Sequence, residues 1–180
     1  KKIKNPSKLF QETWSNKSFI SGPTVETFEK AFGQFCNSQC VAVSSCTSAL
    51  QLALLSLNVG PGDEVITTPY TWVSTVEVIK QVGAKVVYAD IKKDFTIDPV
   101  QVAKKITSKT KAIVLIHTLG FNAMTDEIIK IAKDNDLILI EDCCEAHGAK
   151  FGEKKVGSIG DISLFSFYYG HHITTVEGGM

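Results

Sequence analysis

The segment Leu137-Ile-Leu-Ile-Glu-Asp142 decides the fold that we predict for this chain. It is a continuous apolar run that ends in two acids, which is typical of a strand buried on both faces of a sheet. The residues before it, Asp126–Asp134, have the spacing of an amphipathic helix. A buried strand that follows a helix of about ten residues indicates a βαβ unit and hence a parallel sheet.

The same alternation of helix and strand extends through most of the chain. Further helices are predicted from Pro23 onward, where apolar residues recur on one face, and over Thr47–Leu57, Val73–Val82 and Pro99–Ile106. Predicted strands are Cys40–Ser44, Glu64–Thr68, Lys85–Ala89, Lys111–Ile116 and, after a hairpin at Lys150–Val156, Ser163–Phe167. Residues Lys1–Ser21 have little periodicity and are expected to run along the surface. The pattern predicts an α/β fold with a mostly parallel (mixed) sheet and helices on both faces.

Length and composition narrow the class of protein. A chain of 180 residues with 44% hydrophobic content can bury one sizeable core, so we expect one domain. The 19 basic residues are balanced by 19 acidic ones, which disfavours nucleic acid as a partner. The apolar runs are too short to span a bilayer and no signal peptide is evident. We therefore expect a cytoplasmic protein with no membrane partner.

The five cysteines do not follow a metal-binding pattern. No two of them have CxxC spacing, and Cys143 and Cys144 are adjacent, which places them poorly for a mutual bridge. An iron–sulfur or zinc site of Cys143, Cys144 and His147 matches no common ligand spacing. We expect free thiols in a reducing compartment and no metal ligands.

Several polar or aromatic residues follow predicted strands. Thr47 and Ser48 lie where a strand leads into a helix, whose free N–H groups can bind a phosphate, although an ordinary Ser/Thr cap explains this stretch alone better. Asp142 can face a ligand cation at the mouth of an α/β crevice, or it is a solvated acid or a cap. Glu145 lies in the same turn. Trp72 can stack on a flat ring, or it is a core residue.

Histidines appear at three of these strand ends. His117 and His147 stand alone, and the default for such residues is a structural, hydrogen-bonded role. His171 and His172 are adjacent and follow the last strand, in a loop that contains glycine. Core packing does not call for two histidines there, whereas reactive groups in α/β proteins are commonly placed where a strand ends in a loop.

The ordered motifs resemble those of the DegT/StrS-type sugar aminotransferases, which use pyridoxal phosphate. The motifs that carry the resemblance are Ser45-Cys-Thr-Ser-Ala-Leu50, Gly60-Pro-Gly-Asp-Glu-Val65, Thr67-Thr-Pro-Tyr-Thr-Trp72, Glu141-Asp142, Ala146-His-Gly148 and Phe165-Ser-Phe167. The resemblance implies the large domain of the fold-type I, aspartate aminotransferase-like transferases. It also implies cofactor contacts by Thr47, Ser48 and Ser166 on the phosphate, Trp72 on the ring face, Asp142 on the ring nitrogen and Glu145 near the ring hydroxyl.

One departure from the family pattern changes the expected reaction. The pattern Phe-Ser-Phe-Tyr-Ala-Thr-Lys-Asn-Ile-Thr-Thr-Gly-Glu-Gly-Gly puts its cofactor-binding lysine on His171, and histidine cannot form the covalent link that lysine makes with pyridoxal phosphate. Gly170-His-His172 and His117-Thr-Leu-Gly120 are similar instead to the NDP-4-keto-6-deoxyhexose 3-dehydratases, which use pyridoxamine phosphate. Cys46 and Val176 also replace residues that are usually glycine in the family.

The resemblance then implies a 3-dehydratase of deoxysugar or lipopolysaccharide biosynthesis with His171 as its base. The alternatives are a pyridoxal-phosphate sugar-nucleotide aminotransferase and a non-catalytic relative that binds cofactor or nucleotide sugar. A nucleotide-sugar substrate and a homodimer are expected. Turnover would need either a reductase partner with a [2Fe-2S] cluster beyond Met180 or glutamate as amino donor. Since the sequence stops inside a motif, we expect residues 1–180 to be an incomplete large domain.

Overall fold

The computed structural model describes residues 6–16 and 21–180. The chain divides into two compact units, Lys1–Ala42 and Val43–Met180. The assignment of residues 1–180 to one cofactor-binding domain stays a prediction. Within the described ranges, no helix has the length and apolar character needed to cross a membrane.

The first unit contains helices α1 (Pro6–Asn16) and α2 (Pro23–Cys36). The Pro23 ring begins α2 as predicted, because proline lacks the N–H that a first helical turn leaves unpaired. Phe32 packs against Phe28 and Phe35 with ring centroids 6.0 and 5.6 Å apart. Helix α1 was not predicted, and the expected surface path of the neighbouring residues 1–5 and 17–20 lies outside the described residues.

The second unit is built on five parallel strands in the order β2-β1-β3-β4-β7. The strands are β1 (Glu64–Thr67), β2 (Lys85–Tyr88), β3 (Thr110–Ile116), β4 (Ile138–Asp142) and β7 (Ile162–Leu164). A separate hairpin pairs β5 (Lys150–Phe151) with β6 (Lys154–Lys155). The predicted parallel sheet and the predicted hairpin are both confirmed.

Four helices cover the two faces of this sheet, as predicted. They are α3 (Cys46–Ser56), α4 (Val73–Gln81), α5 (Pro99–Lys105) and α6 (Asp126–Asp134). One core contains α3 and α4 residues with Val65, Val114 and Ile140, and the other contains α5 and α6 residues with Ile66 and Leu115. Neighbouring strand residues alternate between these cores because successive side chains point to opposite faces.

The predicted strand Cys40–Ser44 is wrong. Val41 is 70% exposed, and Val43 forms an isolated antiparallel bridge with Gly179 and no strand. The partner of Val43 is a glycine-bearing segment more than a hundred residues later in the chain, so an apolar run alone could not distinguish this bridge from a buried strand.

The strand order reverses between β1 and β3, which makes that gap the switch point of the sheet. From β1 the chain passes through α4 to β2 on one side, and through α5 it returns to β3 on the other. Ligands of open α/β sheets bind outside the carboxyl ends of the strands at such a point. Trp72 follows β1 and His117 follows β3, so both lie at this edge.

Candidate functional site

The N-terminus of α3 carries a cluster of hydroxyl groups. Ser45 is the N-cap of α3, and its Oγ accepts the amide of Ser48 at 3.2 Å. The Ser48 hydroxyl lies 3.1 Å from those of Ser44 and Ser45. Thr47 is exposed. The first amides of a helix have no partner inside it, so this turn presents N–H and O–H donors together.

The end of the chain brings Ser166 toward this turn. Gly179 exchanges two backbone hydrogen bonds of 2.9 Å with Val43 and also bridges Ser166. Its α-carbon lies so close to α3 that a Cβ would meet the Ser45 carbonyl carbon at 2.4 Å and the Cys46 amide nitrogen at 2.6 Å. Ser166 is buried, and its Oγ accepts the amide of Tyr168 at 3.3 Å.

Asp142, the last residue of β4, is half-buried beside the same turn. Its Oδ1 accepts the Cys144 amide at 3.1 Å, and the Sγ atoms of Cys144 and Cys46 are 3.1 Å apart. Burial raises the pKa of Asp142, against the opposing effects of its Cys144 hydrogen bonds and of His117. No ion pair to Asp142 is formed within the described ranges. A cationic ligand group would stabilise this carboxylate.

Glu145 has a structural partner in the loop after β3. Its Oε2 accepts the Leu119 amide at 2.7 Å. Leu119 has a left-handed φ of 55°, and Gly120 follows it with φ 83°. The carboxylate therefore helps to hold an unfavourable loop conformation, a role that the sequence did not indicate. Whether it also contacts a cofactor stays a prediction.

Trp72 is the residue before α4, and 78% of its surface is exposed. The alternative of a core tryptophan is wrong. Both α3 and α4 begin at the carboxyl edge of the sheet, on the same face. The indole is therefore free to stack on a ligand at the edge where the α3 turn and Asp142 lie.

His117 and Glu141 form a fully buried hydrogen-bonded pair at the carboxyl ends of β3 and β4. Nε2 of His117 lies 3.1 Å from Oε2 of Glu141, and Nδ1 accepts the Ala123 amide at 3.0 Å, which identifies a neutral imidazole with its proton on Nε2. The structural role predicted for His117 is confirmed.

The carboxylate of Glu141 also organises the segment that leads to β7. It accepts hydrogen bonds from four further groups, the amides of Gly157, Ile159 and Gly160 and the hydroxyl of Ser163. Burial alone would raise the pKa of Glu141, but these hydrogen bonds and that of His117 outweigh it and lower the pKa. The sequence analysis missed this role, because every partner lies at least 16 residues away.

Three histidines lie in the segments that follow the neighbouring strands β4 and β7. His147 packs on Phe165 and Phe167 with ring centroids 5.5 and 5.9 Å apart. Burial and then the charges of His171 and His172 lower the pKa of His147 to about 4. His171 is half-buried, and its amide closes a turn on the Tyr168 carbonyl at 3.0 Å. His171 and His172 are thus within electrostatic range of His147.

The loop that carries His171 is fixed at its base. The Phe167 carbonyl accepts both the Thr175 amide and the Thr174 hydroxyl at 3.0 Å. Val176 follows with φ 76°, a left-handed conformation that is an outlier for a β-branched residue. The departure from glycine noted at this position therefore strains the backbone.

A metal site of Cys143, Cys144 and His147, which the ligand spacing already disfavoured, receives no support from the side-chain positions. Cys143 lies with His117 and Glu141, whereas Cys144 lies with Cys46 and Asp142. None of the five cysteines, all of which lie in the described ranges, is in a disulfide.

Comparison with known proteins gives a consistent result. Residues 2–180 match the DegT/DnrJ/EryC1/StrS aminotransferase family. The chain is 39% identical to GDP-perosamine synthase of Escherichia coli O157:H7, covering 97% of this chain and 48% of that protein. It is 40% identical to dTDP-3-amino-3,6-dideoxy-alpha-D-galactopyranose transaminase of Aneurinibacillus thermoaerophilus, covering 83% and 42%.

A solved structure extends this similarity to the coordinates. E. coli GDP-4-keto-6-deoxy-D-mannose-3-dehydratase with bound hydrated PLP superposes with a TM-score of 0.91 and 33% identity, over 99% of this chain and 49% of that one. The chain therefore spans about half the length of the relatives that it matches. The fold is that of the fold-type I aminotransferases, as predicted.

Proposed function

Because the chain belongs to the DegT/DnrJ/EryC1/StrS aminotransferase family, we propose that it forms the cofactor-binding part of an enzyme that acts on a nucleotide sugar. The cofactor is pyridoxal phosphate or its amine form, pyridoxamine phosphate. Relatives whose names specify GDP- or dTDP-linked sugars support the substrate class, and the PLP-bound dehydratase supports the cofactor.

The residues at the sheet edge fit such a cofactor. The first turn of α3, with Thr47 and Ser48, suits the phosphate, and the nearby Ser166 hydroxyl suits it as well. The half-buried carboxylate of Asp142, without a cation partner in the described ranges, suits a protonated ring nitrogen. Thr118 is 8% exposed, and its buried hydroxyl has no hydrogen-bond partner among the described residues, which leaves a polar atom unsatisfied at this edge.

Within the family we propose the 3-dehydratase reaction, with loss of the C3 hydroxyl from an NDP-4-keto-6-deoxyhexose. The observation that carries it is His171 in a segment without lysine, since Lys155 is the last lysine of the chain. An amine-form cofactor that is not tied to the protein can join the sugar's ketone directly. The 33% identity to a solved 3-dehydratase supports this choice.

In this proposal His171, Asp142 and Trp72 each have a separate role. Held by these residues, pyridoxamine phosphate would supply an amine for the sugar's C4 ketone and a ring that can take up electrons as the C3 hydroxyl leaves. His171 removes a proton from the cofactor's C4′ methylene carbon, a task for which imidazole is suited near neutral pH. Asp142 keeps the ring nitrogen protonated. Trp72 stacks on the ring and orients it.

An aminotransferase is the second candidate, and the names of the relatives, taken alone, favour it over the dehydratase. In that case another lysine would take the role of the missing one. A non-catalytic binding protein is a weaker third candidate, because the positions proposed for the cofactor still have residues that can bind it and His171 can still act as a base. These positions are Thr47, Trp72, Asp142 and Ser166.

Borohydride reduction in the presence of pyridoxal phosphate separates the first two candidates. The full-length wild-type protein is expected to bind the cofactor without retaining it covalently, whereas His171→Lys should retain it on the peptide that contains residue 171. Peptide mass spectrometry gives the readout, and His172→Lys is the matched control. A wild-type protein labelled on a lysine would instead establish the aminotransferase.

A homodimer, a reductase or glutamate as amino donor, an iron–sulfur cluster beyond Met180 and a cytoplasmic location remain part of the proposal. No observation on this chain supports the iron–sulfur cluster. Sedimentation of the full-length enzyme would test the homodimer, and a fully active monomer would contradict it.

A further inference from the structure

Cys46 and Cys144 are 98 residues apart in sequence but in contact in the fold. Cys46 is the first residue of α3, and Cys144 lies two residues after the end of β4. Their Sγ atoms are 3.1 Å apart and both residues are half-buried, so the pair is within reach of a small reagent. The oxygen of Asp142 and the two sulfurs all lie within 4.8 Å of one another.

The other three cysteines are placed differently. Cys143 is fully buried on the opposite side of the backbone, beside His117 and Glu141. Cys36 and Cys40 belong to the first compact unit. Cys46 and Cys144 are therefore the two cysteines expected to form a disulfide, and variants of the other cysteines serve as controls for that pairing.

We propose that Cys46 and Cys144 form a reversible dithiol–disulfide pair that controls cofactor affinity. In the oxidation, one thiolate attacks a low-molecular-weight disulfide and releases its first thiol. The second protein thiolate then displaces the remaining reagent thiol. The two cysteines lose two electrons and two protons, and the reagent gains them as two thiols, so the step balances.

The disulfide would change the geometry of the site. An S–S bond is about 2.05 Å long, so the two sulfurs must approach by roughly 1 Å. That movement draws the first turn of α3, with Thr47 and Ser48, toward the backbone beside Asp142. A displacement of about 1 Å can cost on the order of 10²-fold in rate when it misplaces reacting groups. The coupling to affinity rests on the proposed function, whereas the disulfide itself does not.

Thermodynamic linkage requires the effect to be reciprocal. If the disulfide weakens cofactor binding, then bound cofactor must disfavour the disulfide by the same factor. Coupling between two sites is commonly between about 5- and 150-fold, and we expect a value in that range. The hydrogen bond to Cys46, then burial and the nearby Asp142, raise the pKa of Cys144, so oxidation should be slow at neutral pH.

The experiment equilibrates full-length protein in buffers of reduced and oxidised dithiothreitol, without cofactor, and maps disulfides by peptide mass spectrometry. Cleavage after lysine releases residues 31–80, which contain Cys46, and residues 134–150, which contain Cys144. The expected cross-link joins these two peptides. It should disappear in Cys46→Ser and in Cys144→Ser, and persist in Cys40→Ser and in Cys143→Ser. Absence of the cross-link in wild type, or its persistence in Cys46→Ser, would overturn the pair.

Pyridoxal phosphate titrations of the oxidised and reduced protein test the control of affinity. The oxidised form should bind at least about 5-fold more weakly, and cofactor should shift the redox equilibrium by the same factor. Equal affinities in the two forms would overturn the regulatory part. If neither form binds cofactor while the cross-link still forms, the proposed function fails and the disulfide pair stands.

Discussion

Nε2 of His117 and Oε2 of Glu141 lie 3.1 Å apart, and neither side chain is exposed to solvent. Each oxygen of Glu141 accepts at least two hydrogen bonds, and these tie β3 and β4 to the residues before β7. A buried carboxylate with this many donors does more than bind one histidine, because it fixes the backbone from Gly157 to Gly160.

Glu141→Gln should destabilise the fold although it preserves the shape of the side chain. Whichever way the amide is turned, its NH₂ group faces at least two donors, such as the amides of Ile159 and Gly160. We expect a loss of roughly 3 kcal/mol in the free energy of unfolding, measured by urea denaturation. Glu153→Gln, at an exposed position in the hairpin turn, is the control and should be near neutral. An equally small effect at Glu141 would show that the network contributes little.

His147 should give the protein a pH-dependent stability. Its folded pKa of about 4 lies below the 6.5 of an unfolded histidine, so between these values the unfolded state binds more protons. Stability should therefore be complete above about pH 6.5 and decrease as the pH falls toward 4. His147→Phe, which can still pack on Phe165 and Phe167, should remove this part of the dependence. If the urea midpoint changes by the same amount between pH 7 and pH 5 in wild type and in His147→Phe, His147 is not the source of the pH dependence.

Gly179→Ala should damage the site through its backbone. A Cβ would lie 2.4 Å from the Ser45 carbonyl carbon, and neither α3 nor the bridge to Val43 can easily yield. We expect a loss of roughly 1–3 kcal/mol and weaker cofactor binding. In Gly60→Ala the new Cβ would meet its nearest neighbour at an ordinary 3.6 Å, so this variant is the matched control. Unchanged stability and affinity in Gly179→Ala would mean that the α3 turn moves without cost.

Val176→Gly should stabilise the loop that carries His171. A left-handed conformation costs a non-glycine residue about 1–2 kcal/mol, and the greater freedom of glycine in the unfolded chain offsets about half of the relief. The expected net gain is therefore about 0.5–1 kcal/mol in thermal or urea unfolding. Ile173→Gly, in the same loop but without a positive φ, should destabilise. A loss of stability in both variants would argue against strain at Val176.

The sequence predicted the parts of the structure that depend on local patterns. Helix α2, which begins at Pro23, has a local start signal, and helix α6, which ends at Asp134, has clear periodicity. Both were predicted at the correct place. The apolar run Leu137–Ile140 was sufficient to identify a central strand. Trp72 and Asp142 could be assigned to one edge of the sheet because parallel strands end on the same side.

Long-range contacts were beyond this reasoning. The bridge of Val43 to Gly179 and the contact of Cys46 with Cys144 join segments about a hundred residues apart, and periodicity carries no signal for such pairs. The partners of Glu141 are backbone amides, which every residue has. The hydrogen bond from the Leu119 amide to Glu145 could not be predicted either. Leu119 has a left-handed conformation, but it is not a glycine that would have indicated one.

The central claim is that His171 serves as the base of a 3-dehydratase. His171→Asn should keep cofactor binding and lose about 10²–10⁴-fold in rate, the usual contribution of a positioned base. His172→Asn should retain turnover, because the pattern gives that position no role. A variant series with the opposite result would make His172 the base.

The most direct measurement is the product that full-length wild-type enzyme forms from pyridoxamine phosphate and an NDP-4-keto-6-deoxyhexose, identified by mass spectrometry and NMR. Removal of the C3 hydroxyl gives a 3-deoxy sugar, which this account predicts. A 4-amino sugar that keeps its C3 hydroxyl would contradict the account and establish an aminotransferase.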